Sequence, residues 1–208
     1  MINLRKDLLF FSIIVLFAIA VSLLAFFTSY RNPFNLSVRL FALNGFIALS
    51  IAAIMTPFLK EITLLLKRPF LRIHHYFAAA GLVLITLHPI ALATQLTNPA
   101  VFLPNLSSFH LFLLYGGRQA LIIIYIALIA VLLRRKAIAY WRPFHALMYL
   151  ALFFGVVHAN LSGTDFLQNT SITFAFNILF AVAIAAFALK RWQFHKMKAK
   201  KLKHTSPT

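Results

Sequence analysis

Six apolar runs constrain this chain more than any other feature. An α-helix needs about 20 predominantly apolar residues to cross the hydrocarbon of a bilayer. Runs of that kind fall at roughly 8–27, 40–59, 71–94, 112–133, 141–160 and 172–189 of the 208 residues. The connections are short and carry turn chemistry: Arg31-Asn32-Pro33, Lys67-Arg68-Pro69, Asn98-Pro99 with Pro104-Asn105, and Ser162-Gly163. Hydrophobic residues make up 62% of the chain and charged residues 11%, too few to cover a soluble domain of this size. The sequence therefore predicts an all-α membrane protein. It is a six-transmembrane-helix bundle, one domain over 1–208, ending in a basic tail at 190–208.

The formal net charge is +17, carried by 20 Lys and Arg against three acidic residues. The cations sit at the ends of the apolar runs, not on a polar face interleaved with aromatics, so nucleic-acid binding is set aside. Their placement fixes an orientation instead. With the N-terminus cytoplasmic, 17 of the 20 fall on the cytoplasmic side, among them Arg5, Lys6, Lys60, Lys67, Arg68, Arg72, Arg134, Arg135, Lys136 and Arg142. Only Arg31, Arg39 and Arg118 fall on the other. Both termini are expected to be cytoplasmic. The first run follows Arg5-Lys6 as a signal peptide would, but it is too long for a signal core and lacks a cleavage site, so it is read as a retained helix. The tail after Leu189 reads as a solvated basic run suited to anionic lipid headgroups. The expected location is the cell (inner) membrane.

There are no cysteines, which removes disulfides, iron–sulfur clusters and covalently attached c-type haem. Any metal would be held by His, Met or oxygen. Ionisable residues inside a bilayer are expensive, so each is a functional candidate. Four histidines lie within two runs: His74 and His88 in the third, His145 and His158 in the fifth, with His75 beside the first. The spacings are 14 and 13 residues. Both runs begin after a basic loop, so the two helices are parallel. His74 and His145 share one depth, and His88 and His158 share another about 20 Å away at ~1.5 Å per residue. Each pair can offer two axial imidazoles to one haem iron, the porphyrin lying between facing helices. Helical periodicity of ~100° per residue returns the 14-residue pair to within about 40° of one face, but leaves the 13-residue pair about 140° apart. Local tightening, tilt or laterally offset haems would absorb the difference, with Gly155 a place for it.

A lone intramembrane histidine is often an interhelical hydrogen-bonding group. Four at two matched depths argue for a cofactor. Zinc suits the set less well, because two imidazoles leave its coordination shell incomplete and no carboxylate or thiolate lies near.

The motifs Arg72-Ile73-His74-His75 with Gly81 and His88, and Arg142-Pro143-Phe144-His145 with Tyr149 and His158, resemble those of the ferric-reductase-like transmembrane domain. That family includes ferric reductases, NADPH oxidases and the MsrQ-like haem subunits of bacterial methionine sulfoxide reductase systems. The resemblance covers about residues 40–190. It implies a six-helix bundle, b-type haem and transmembrane electron transfer. It also implies His74 with His145 as the inner axial pair and His88 with His158 as the outer pair. The His74-His75 doublet leaves the inner ligand open; the 14-residue spacing and the family pattern favour His74.

No G-x-G-x-x-G strand–helix unit is present, so an electron donor is expected to be another protein, such as a cytoplasmic flavin reductase, or a membrane quinol. The chain is thus expected to act as an oxidoreductase subunit without its own flavin or nicotinamide domain. The external acceptor would be a protein such as a methionine sulfoxide reductase. Direct reduction of external ferric chelates is an alternative. A His-dependent proton or metal transporter without haem is another. Arg118, after Gly116-Gly117, and Arg72 and Arg142, just before the inner histidines, are candidate contacts for haem propionates. Gly81 and Gly155 are places where a porphyrin could approach a helix. His110 lies in the outer loop, and His195 and His204 lie in the tail.

Overall fold

The structure is a computed structural model that describes residues 2–30, 32–136 and 138–205. Arg31 and the last three tail residues lie outside the described residues. For Arg5 and for the tail from residue 198 onward only the backbone is described.

The chain is helical throughout, with no strand among the described residues. The helices are α1 (Ile2–Thr28), α2 (Pro33–Met55), α3 (Leu59–Leu66), α4 (Phe70–Leu96), α5 (Phe109–Leu114), α6 (Gly116–Leu132), α7 (Trp141–Ala146), α8 (Met148–Ser162), α9 (Thr164–Gln168) and α10 (Thr170–Thr205). Short 3₁₀ turns follow α2 at Thr56–Phe58 and precede the outer loop at Pro99–Phe102.

Local chemistry sets the boundaries. Asn32 caps α2, its side chain accepting from the Asn35 amide at 2.7 Å, with Pro33 in the first turn. Ser108 caps α5 in the same way at 3.1 Å. Asn169 accepts from the Ser171 and Ile172 amides at the start of α10. Lys67 (φ 48°) and Thr97 (φ 49°) end α3 and α4 in the left-handed conformation.

Five segments are long and apolar enough to cross a membrane: Leu8–Thr28, Pro33–Leu66, Phe70–Leu96, Trp141–Ser162 and Thr170–Met197. The apolar helix Gly116–Leu132 is shorter, at 17 residues. The predicted fourth run is broken at Tyr115 into α5 and α6, and the fifth is broken at Leu147 into α7 and α8. The second run begins earlier than predicted, at Pro33, and continues through Pro57 into α3. The basic tail continues α10 without interruption.

The core runs along α2. Leu43, Phe46, Ile47 and Leu49 pack with Ala151, Leu152 and Val156 of α8 and with Ile172 and Phe176 of α10. The closest helix pair is α2 with α4, and two glycines allow it. A Cβ on Gly45 would meet Ile85 Cγ1 at 2.8 Å, and one on Gly81 would meet Leu49 Cγ at 2.7 Å. Gly81 is therefore occupied by helix packing and leaves no room for a porphyrin. Gly155 faces the interior, where an added Cβ would stand 3.3 Å from the Phe46 ring, and lines a cavity. It is not the irregularity of the fifth run, which lies at Leu147.

The two ends of the bundle differ in charge. Lys190 of α10 pairs with Glu61 of α3 at 2.5 Å, so the basic segments around Lys60–Arg72, Arg142 and Lys190 gather at one end. Arg39 and Arg118 belong to the other.

Candidate haem sites

The four intramembrane histidines come together as two pairs. At the basic end, the rings of His74 (α4) and His145 (α7) lie 6.2 Å apart between centres, with planes crossed at 78°. His75 is exposed, its ring 5.9 Å from that of His74. At the other end, His88 (α4) and His158 (α8) line one cavity of about 420 Å³ between α2, α4, α6 and α8. That volume falls among those of ordinary cofactor pockets. Leu43, Phe46, Ile124 and Phe176 give it apolar walls, and Arg39, Arg118, Ser162 and Asp165 lie at its polar end.

Backbone carbonyls orient three of the four imidazoles. His88 Nδ1 lies 2.9 Å from the Val38 carbonyl, His158 Nδ1 2.6 Å from that of Leu114, and His74 Nδ1 3.3 Å from that of Ala52. A carbonyl only accepts, so in each case Nδ1 carries the proton and Nε2 keeps its lone pair. His145 is the exception. Its Nδ1 is buried without a hydrogen-bond partner, and the Ala127 carbonyl approaches it without reaching hydrogen-bonding geometry.

The break at Tyr115 explains one of these bonds. The Arg118 amide donates to Tyr115, three residues back, instead of to Leu114 as a continuous helix would require. The freed Leu114 carbonyl takes His158, and Ser162 Oγ lies 3.0 Å from the same Nδ1. The adjacent glycines make room. A Cβ on Gly117 would stand 2.9 Å from His158 Cδ2 and 3.2 Å from its Nε2. The break at Leu147 lies between His145 and His158. The Leu147 amide donates to Phe144, three residues back, which retightens the helix between His145 and His158.

The His74–His145 pair would suit a haem iron held between its two rings. With each nitrogen about 2 Å from the metal and each ring centre about 1 Å beyond, two opposed imidazoles place their centres about 6 Å apart. The His74–His145 separation has that value. Among the described residues no group of three or more His, Cys, Asp or Glu could hold a bare metal ion.

The arginines divide. Arg118 lies at the outer cavity, its guanidinium 4.3 Å above the Tyr115 ring and donating to the Leu103 carbonyl at 2.7 Å. Arg72 is exposed, and Arg142 is exposed with its guanidinium 5.5 Å over the Trp141 ring. His110 and His195 are exposed and away from both pairs.

Sequence reasoning missed the buried pair of Arg39 and Asp165. Both side chains are under a tenth exposed. Arg39 bonds both carboxylate oxygens of Asp165, donates to the Ala25 carbonyl at 2.6 Å, and reaches the Ser29 carbonyl. The available signal was Asp165 itself, one of only three acidic residues, placed at the end of an apolar run where a carboxylate needs a partner.

No family model, no curated protein and no solved structure matches the chain.

Proposed function

We propose that this chain is a multi-pass membrane subunit that holds b-type haem at two levels and passes electrons across the bilayer. In this reading it belongs functionally with the MsrQ-like branch of the ferric-reductase-like proteins. The donor would be a cytoplasmic flavoprotein or a quinol, and the acceptor an external protein. The observation that carries the reading is the pairing of four intramembrane histidines at two levels, with three imidazoles held by backbone carbonyls so that Nε2 is free.

The reading takes α5 and α6 together as the sixth crossing. Alone, α6 reaches about 25 Å at ~1.5 Å per residue, and α5 extends it. The basic end then faces the cytoplasm.

Haem, when bound, supplies one-electron chemistry at a potential set by its axial ligands and surroundings. The carbonyls of Val38, Leu114 and Ala52 fix the ring orientation and raise the basicity of Nε2. The apolar walls at Leu43, Phe46, Ile124 and Phe176 exclude water from the outer level. Arg118 offers a cation to carboxylates at the outer mouth. The cationic basic end favours encounter with an acidic donor.

The test is a reduced-minus-oxidised spectrum with haem quantification on protein purified after expression with ample haem. Two low-spin b-type haems per chain are expected. Protein free of haem under those conditions would sink the proposal.

A further inference from the structure

The outer cavity has a side as well as a mouth. Ile85, His88, Pro89 and Leu92 line it from α4, and Leu121 and Ile124 line it from α6. Yet α4 and α6 do not pack against each other along their length; α4 packs on α2 and α6 on α8. Thr86 and Tyr125 span the seam, their hydroxyls 2.8 Å apart, with Tyr125 exposed and Thr86 half-buried. Apolar residues flank them on the outer surface: Val83 and Ile90 on α4, Ile122 and Ile126 on α6, each 41–55% exposed. In a membrane this surface meets acyl chains.

Two features make the seam separable. First, a hydroxyl facing lipid is costly unless it is bonded. Thr86 satisfies itself by donating to the Leu82 carbonyl at 2.7 Å, and the Tyr125 hydroxyl can then donate to it. The contact is a single neutral hydrogen bond between side chains that can rotate, with no packed backbone behind it. Second, Pro89 removes the amide that would bond Ile85 and loosens α4 one turn from Thr86.

We infer that the seam between α4 and α6, closed by Thr86 and Tyr125, is a lateral opening through which the outer cavity takes a flat, amphipathic ring ligand from the bilayer. The identification of that ligand as haem rests on the function proposed above; the opening itself does not. An apolar macrocycle partitions into the acyl region, and the lateral path keeps it there until its polar edge meets Arg118.

The chain has no cysteine, so introduced thiols stand alone. Thr86→Cys and Tyr125→Cys are combined and bridged with a bifunctional methanethiosulfonate, because a Thr–Tyr pair joined at its hydroxyls holds its Cβ atoms beyond the ~4 Å a disulfide needs. In haem-free vesicles carrying a bilayer-dissolved aryl diazirine, illumination should place adducts on the buried cavity residues Leu43 and Ile124. Bridging should abolish those adducts while exposed Ile126 stays labelled. Single-cysteine variants given the same reagent should keep all of them. Adducts on Leu43 and Ile124 that survive bridging, or labelling of Ile126 alone in the unbridged protein, would overturn the lateral opening.

Haem supplied in vesicles gives the second readout. Bridging before addition should block loading of the outer site, and bridging afterwards should leave it filled. Normal loading of the bridged protein overturns the route for haem. Photolabelling that responds to the bridge while no variant ever binds haem would refute the two-haem reading and still support the opening.

Discussion

The imidazoles of His74 and His145 stand 6.2 Å apart with planes crossed at 78°, although they sit on helices 71 positions apart in the chain. The two rings are held on separate backbones, so neither depends on the other for its place. His74 is fixed by the Ala52 carbonyl, and His145 keeps an unpartnered buried nitrogen. A buried polar atom left without a partner is costly. His145 is therefore the less firmly held of the two rings.

His74→Ala and His145→Ala should each remove the same haem, and the double variant should lose no more than either single one, because members of one site are not additive. His75→Ala should keep both haems, since that ring is exposed. Haem stoichiometry and the low-spin signal of each variant decide this. Loss of haem in His75→Ala with retention in His74→Ala would reassign the inner ligand.

The outer pair should behave independently. His88→Ala and His158→Ala should empty the outer level and leave the inner signal intact. Transmembrane electron transfer should fail in both, because stacked sites act in series. If His88→Ala depleted the same haem as His145→Ala, the depth matching of α4 with α7 and α8 would be wrong.

Two glycine substitutions separate a site role from a packing role. Gly117→Ala places a methyl 2.9 Å from His158 Cδ2, and the ring cannot yield without breaking its 2.6 Å bond to Leu114. Outer haem occupancy should fall while the melting temperature changes little. Gly81→Ala meets Leu49 Cγ at 2.7 Å and its backbone amide nitrogen at 3.0 Å, so α2 and α4 must separate. The cost should be about 1–3 kcal/mol of overpacking, seen in thermal unfolding and without preference for either haem. Equal effects of the two substitutions on outer occupancy would remove the role given to Gly117.

The sequence showed which residues to watch better than it showed how they are held. The apolar runs and the four histidines were legible because burial in lipid tolerates few exceptions, and each exception stands out. The parallel course of the third and fifth runs followed from the basic loops, and the shared cavity of His88 and His158 agrees with it. The breaks at Tyr115 and Leu147 were not legible. Gly116-Gly117 follows the first and Pro143 lies one turn before the second, but neither signal says that the backbone bond there closes over three residues instead of four. The role of Gly81 was misjudged for a related reason: a glycine facing a ligand and one facing another helix look alike in sequence. Arg39 was read only as a topological charge, because its partner lies 126 residues away.

Charge placement predicts where the ends face. A reporter fused after the last residue and one inserted in the outer connection at 97–108 should report opposite compartments, the terminus being cytoplasmic. The same compartment for both would contradict the six-crossing topology and remove α6 as a spanning helix.

The buried pair of Arg39 and Asp165 should govern the stability of its end of the bundle. Arg39 ties α2 to α9 through the carboxylate and to the end of α1 through Ala25 and Ser29. Removing one partner strands a charge that the other was neutralising. Asp165→Asn and Arg39→Met should therefore each cost about 3–5 kcal/mol. The double variant Arg39→Met with Asp165→Leu should recover much of that loss, because an apolar pair of similar volume strands no charge. Unfolding in detergent micelles measures all three. The singles should also disturb the outer level, since both residues line its cavity, while leaving the His74–His145 level unchanged. Single variants as stable as the parent would show that water or lipid headgroups already screen the pair. A double variant no better than the singles would show that the hydrogen bonds to α1, and not the ion pair, hold this end of the bundle together.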